Sequence, residues 1–101
     1  MRPVRLFDST NLRLLSCWEC PRTIQDAEDI TAIPEATIYK RVKILLENQL
    51  IEQVNTQRTG TRPRPIYFSR IQNVSVKLDL NRYFVIVRFK DGTVREEGYS
   101  A

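Results

Sequence analysis

Apolar residues recur with a helical period along the first half of this chain and with a strand period along the second. Leu12, Leu15 and Trp18 fall three apart, Leu14 and Cys17 widen the stripe, and Asp8-Ser-Thr10 ahead of them supplies helix N-cap residues. Pro21 ends this first helix, predicted over roughly 10–20, because proline disfavours a helical residue before it. Thr23 caps a second helix with Asp26 three residues on as its capping-box partner, and Ile24, Ala27 and Ile30 form the expected buried face. Thr31-Ala-Ile33 makes the turn, and Pro34 suits a first helical position. Ile38, Val42, Leu45 and Leu46 then repeat at i, i+4, i+7 and i+8, which predicts a third helix over about 34–48.

The period changes after Asn48. Leu50 to Val54 and Ile66 to Ile71 read as two strands around a stiff cationic loop, in whose span or edge Pro63 and Pro65 belong because proline cannot donate to a ladder. Val74 to Leu80 is apolar at every even position, the mark of a half-buried strand, and Asn81-Arg82 offers a two-residue turn. Tyr83 to Phe89 is a strand apolar at nearly every position, followed by a turn at Lys90-Asp-Gly-Thr93 and a short third strand beginning at Val94-Arg95. Glu96 to Ala101 has no periodicity and is expected to be loose. A strand apolar on both faces needs two covers, so this hairpin is expected in a subunit interface. The fold class is α+β: three helices and a β-hairpin over 1–71, with an extra C-terminal antiparallel β-hairpin over 72–101 as a dimerisation element of the same compact domain.

Charge placement sharpens this picture. The net charge is +4, which favours polyanionic partners. Residues 56–70 hold Arg58, Arg62, Arg64 and Arg70 with no acid, and 34–43 hold Lys40, Arg41 and Lys43 against Glu35 alone. Residues 24–30 hold Asp26, Glu28 and Asp29 with no base. Positive charge therefore gathers on the outer face of the third helix, where Lys40 and Lys43 lie beside Ala36 and Tyr39, and on the loop at 56–65.

Other classes of function find no footing. The chain has no histidine, so the commonest general base and metal ligand are missing, and three glycines make no phosphate-binding loop. An enzyme is not expected, nor a cofactor or small-molecule ligand. The longest apolar run, Tyr83 to Val87, is strand-sized, and Met1 to Asp8 lacks the apolar core of a signal peptide, so a cytoplasmic protein with no membrane partner is expected. Cys17-Trp-Glu-Cys20 is a lone CxxC with three readings: packing of two small apolar side chains, a redox pair, or half of a zinc site completed by a second copy.

Residues 10 to about 70 resemble winged helix-turn-helix transcription regulators, most closely the small ArsR-like regulators abundant in archaea. The resemblance is carried by LRLLS at 12–16, by PRTIQDAEDITAIPEATIYKRVKILLENQLIE at 21–52, and by the strand, basic loop and strand that follow. Ile-Pro-Glu-Ala-Thr-Ile-Tyr-Lys-Arg-Val-Lys, starting at Ile33, looks like the recognition helix of that family. Family members usually carry glycine at the position of Ala32 and again at Gln49, where Asn48 is the neighbour expected to take the left-handed conformation, and small residues are common at Glu28. The resemblance implies a homodimer bound to double-stranded DNA.

A recognition helix presents its N-terminal half to base edges in the major groove. Here Ala36, Thr37, Tyr39, Lys40 and Lys43 would meet DNA, and Arg58, Arg62 and Arg64 of the wing have planar cations suited to phosphate or a narrow minor groove. Glu35 is placed either to accept from a cytosine amino group or to sit against the helix dipole, and Arg41, off the charged face, to pair with an acid of the second helix. Two rival readings share this layout: a protein-interaction winged helix in a nucleoprotein complex, and a thiol-responsive repressor switched by Cys17 and Cys20.

Overall fold

The structure, a computed structural model, describes residues 6–59 and 62–100, and the side chains of 56–62 lie outside the description. In chain order the elements are α1 (Ser9–Cys17), α2 (Ile24–Thr31), α3 (Glu35–Glu47), β1 (Ile51–Thr59), β2 (Arg62–Ser69), β3 (Ile71–Asp79), β4 (Arg82–Phe89) and β5 (Val94–Ser100). β1 and β2 form an antiparallel hairpin, and β3-β4-β5 an antiparallel meander. This is the expected α+β winged-helix layout with a C-terminal extension. The chain divides into two compact units, Met1–Ser69 and Arg70–Ala101.

The helices of the first unit begin where the sequence offers caps. Asp8 is the N-cap of α1 and accepts from the Asn11 backbone N–H at 2.9 Å. Thr23 and Asp26 form a reciprocal capping box on α2, both bonds being 3.1 Å. The core comprises Leu14, Leu15, Trp18, Ile24, Ala27, Ile38, Val42, Leu45, Leu50 and Ile51, each buried and worth roughly 1.5–3 kcal/mol for the larger aliphatic side chains. Trp18 and Tyr67 meet edge to face with ring centroids 5.6 Å apart.

Three expected positions of the helical stripes face solvent instead, Leu46 of α3 among them at 37% exposure. Leu12 and Ile30 are 43% and 53% exposed, while Asn11 and Thr31 are buried in the same helices. Both exchanges have a polar cause: Asn11 Nδ2 donates to the Leu6 carbonyl at 2.8 Å, and the Thr31 hydroxyl donates to the Ala27 carbonyl at 2.6 Å. Satisfied in this way, the small polar side chains can be buried, and the helices rotate their longer apolar neighbours outward.

The turns at the ends of α2 and α3 use left-handed residues that are not glycine. Ala32 has φ 61° at the end of α2. After α3, Leu50 N–H reaches the Leu45 carbonyl and Gln49 N–H the Leu46 carbonyl, a Schellman ending with Gln49 at φ 59°. Asn48, the expected left-handed residue, keeps φ −93° and uses its Nδ2 to hold the Ile44 carbonyl at 2.8 Å.

The wing strands run farther than their apolar residues suggest, and β2 passes through both prolines. Tyr67 and Arg22 exchange two backbone bonds of 2.8 and 3.0 Å, and Ser69 N–H reaches the Trp18 carbonyl at 2.8 Å. Tyr67 and Ser69 thus turn their backbone groups away from β1. By the two-residue alternation Pro63 and Pro65 do the same, so their missing N–H groups cost the β1–β2 ladder nothing. A bulge between Gln53 and Asn55 leaves Val54 outside the register and 42% exposed.

In the second unit the turn between β3 and β4 is Leu80-Asn81, closed by the pair Asp79–Arg82, one residue earlier than predicted. Residues 96–100 of the tail expected to be loose belong instead to β5, which pairs along its length with β4, and Ala101 lies outside the described residues. Its order comes from cross-strand neighbours: Tyr99 stacks on Tyr83 at 5.2 Å, and Gly98 lies so close under Phe84 that a Cβ would meet the ring at 3.0 Å. Val85, Val87 and Phe89 of β4 are buried, with the Arg70 and Arg95 guanidinium groups over the Phe89 ring. β3 departs most from expectation. Val76, Leu78 and Leu80, predicted to be on a half-buried face, are 61%, 80% and 100% exposed.

Candidate nucleic-acid interface

The third helix turns Ile38, Val42 and Leu45 into the core, and its opposite face is left to solvent. Ala36, Tyr39, Lys40 and Lys43 are all exposed and Thr37 is half-buried, so the expected contact residues share an accessible surface. Tyr39 is the large apolar group of that surface, at 58% exposure.

Pro34 precedes this helix without any side-chain cap of its own. Glu28 of α2 supplies one: its Oε2 accepts from the Glu35 backbone N–H at 2.9 Å. A carboxylate at a helix N-terminus meets unpaired N–H groups and the positive end of the macrodipole, so Glu28 fixes where α3 starts. Glu35 is itself an exposed acid of the first turn. At the other end of α2, Arg13 donates to the Thr31 carbonyl, so the turn is held on both sides by side chains from outside it.

Arg41 does not pair with an acid of the second helix. Its Nη1 lies 2.7 Å from Asp8 Oδ2 at the head of α1, which ties α3 to α1 and removes this cation from the contact face.

The wing meets this surface through Arg64. Its side chain is exposed, and Nη1 donates to Gln25 Oε1 of α2 at 2.6 Å. A concave site of about 280 Å³ lies between helices and wing, lined by Thr23, Gln25, Glu35, Tyr39, Pro63 and Arg64. Tyr39 and Arg64, chosen separately from the sequence, therefore border one concavity. Arg58 and Arg62 have backbones in β1 and β2, but their side chains, with the loop residue Gly60, lie outside the described residues. The roles of Gln25 and Glu28 had no sequence signal, because each becomes visible only when its partner is brought near.

The CxxC pair is split by the end of α1. Cys17 is buried and Cys20 exposed, and both are free thiols. Burial pushes the Cys17 thiol above its ordinary range, against the opposing pull of Arg22, which makes it a poor thiolate at neutral pH. Among the described residues no cluster of three or more His, Cys, Asp or Glu side chains is placed to hold a metal ion. No helix among them is long and apolar enough to cross a membrane. No protein-family model matches the chain, and a search of the curated proteins finds no match.

Proposed function

We propose that this chain is a sequence-specific regulator of transcription that binds double-stranded DNA as a cytoplasmic homodimer, in the manner of the winged helix-turn-helix proteins it resembles. α3 enters the major groove with Ala36, Thr37, Tyr39, Lys40 and Lys43, and the wing lays Arg58, Arg62 and Arg64 on the backbone or the minor groove. One observation carries the reading. The exposed Tyr39–Lys40–Lys43 face of α3 and Arg64 of the wing flank a single concavity, with Tyr39 and Arg64 both on its walls.

Size and charge fit that reading. One α-helix fills a major groove about 12 Å wide, and a cation on a flanking strand then meets the neighbouring phosphates. The Arg64–Gln25 bond holds the guanidinium against α2, so less side-chain freedom is lost on binding. Two copies with recognition helices about 34 Å apart would read a pseudo-palindrome with half-sites one turn apart.

Selection from a random duplex pool, followed by anisotropy titrations over a salt series, tests the proposal. Lys40→Ala with Lys43→Ala should lower the salt slope of the dimer by about four and Arg64→Ala by about two, since each lost phosphate contact removes roughly one unit and each substitution occurs twice in the complex. A pool that yields no enriched sequence, or slopes unchanged in both variants, would overturn it.

A further inference from the structure

We propose that the free edge of β3 pairs antiparallel with the β3 edge of a second copy, in a register centred on Leu78, making one continuous six-stranded sheet. This rests on the homodimer reading above and names the surface and the register.

The backbone points to this edge. Phe89 N–H bonds to the Thr93 carbonyl and Lys90 N–H to the Arg70 carbonyl, so odd residues of β4 turn toward β5 and even ones toward β3. β3 pairs Asn73, Ser75, Lys77 and Asp79 with those even residues. Val74, Val76 and Leu78 are left with backbone groups directed at the open edge. β3 is a terminal strand of its sheet, and its Val76 and Leu78 side chains are largely exposed. An exposed apolar edge strand is a template for pairing unless charge or proline blocks it.

Charge selects the partner and the register. With Leu78 opposite Leu78 of the partner subunit, Lys77 faces Asp79 of the partner subunit, and the same pair recurs across the two-fold axis. Each falls at a non-hydrogen-bonded position, where side chains approach most closely. The other face brings Val76 against Leu80 of the partner subunit. A register centred on Lys77 would set two lysines face to face. β5, the other outer strand, carries Glu96 and Glu97 in succession, which oppose self-pairing.

Leu80 supports the same register. It is a fully exposed leucine with φ 52° at the first position of a two-residue turn, a place where glycine is the comfortable residue. The exposure is unfavourable in a lone chain, and pairing about Leu78 covers the side chain.

The test uses two full-length variants that each break the charge match. The Lys77→Asp chain presents acids only and the Asp79→Lys chain bases only, so each should self-associate at least about tenfold more weakly than the parent by sedimentation equilibrium, as expected for two like-charge pairs replacing two attractive ones. Mixed one to one they should restore the parental affinity as a heterodimer, which also shows that both chains fold. In a Cys20→Ser background, Leu78→Cys should form a covalent dimer under diamide, and Val76→Cys should not. A dimer indifferent to both charge changes, a mixture no tighter than its components, or crosslinking through Val76→Cys would overturn the edge pairing and leave a homodimer formed elsewhere. A parent chain that stays monomeric at the highest soluble concentration would overturn the homodimer reading itself.

Discussion

Asp8 and Arg41, 33 residues apart, form an ion pair of 2.7 Å whose carboxylate is at the same time the N-cap of α1. One oxygen accepts from Asn11 N–H and the other from Arg41, so a single side chain starts the first helix and fastens the third. Burial alone raises the Asp8 carboxyl, but the Asn11 N–H, the Arg41 guanidinium and the Thr10 N–H outweigh it and hold it below its ordinary value of 3.8.

The sign of the pH dependence follows. A carboxyl depressed in the folded state contributes stability that is fully present above 3.8 and is lost as pH falls through the folded value. Asp8→Asn, which keeps a capping oxygen, should cost less than about 1 kcal/mol at neutral pH, and Asp8→Ala about 1–2 kcal/mol. Denaturant titrations from neutral pH into the acid range should show the Asp8→Asn deficit vanishing below pH 3.8. A deficit that persists there would contradict the ion-pair account.

The left-handed residues Ala32 and Gln49 predict gains from glycine. Ala32→Gly and Gln49→Gly should each stabilise by roughly 0.5–1 kcal/mol, raising Tm by about 2–8 °C for a chain of this size. Asn48→Gly should do the opposite, since Asn48 has φ −93° and would lose its bond to Ile44. Differential scanning calorimetry distinguishes the two patterns.

Glu28 predicts opposed effects on stability and on binding. Glu28→Ala removes the only side-chain bond seen at the start of α3 among the described residues and should cost about 0.5–1 kcal/mol. It also removes an acid beside a helix proposed to approach phosphates, so DNA affinity at low salt should rise while Tm falls. A loss of both would show that the cap, not the charge, governs binding.

The two cysteines should differ in reactivity. Cys20 is exposed, whereas Cys17 is buried with its thiol pushed upward by burial. At neutral pH iodoacetamide should label Cys20 alone in the folded protein and both after unfolding, as read by peptide mass. Equal labelling rates in the folded protein would restore the case for a paired redox site.

Much of the fold was legible because it is written in short-range pattern. The Ile38–Val42–Leu45 stripe, the Thr23–Asp26 box and the exposed face of α3 each depend on residues within a turn or two of one another. β5 was not legible, because the order of Val94–Ser100 comes from Phe84 and Tyr83 across the sheet and not from any period of its own. Pro63 and Pro65 argued locally against a strand, and only the outward turn of Tyr67 toward Arg22 shows why they are tolerated. In the candidate site, the Tyr39–Lys40–Lys43 face followed from helical spacing, while Gln25 beneath Arg64 did not.

By itself, then, the sequence determined which segments coil, which extend and where positive charge gathers, since propensity, capping and periodicity act over a few residues. The tertiary structure decided which of those features found partners: it sent Arg41 to Asp8, set Glu28 on the head of α3, brought Arg64 to the concavity that holds Tyr39, and left Val76, Leu78 and Leu80 exposed. Burial and pairing depend on what lies across a gap from a side chain, and alternation along one strand carries no information about that neighbour.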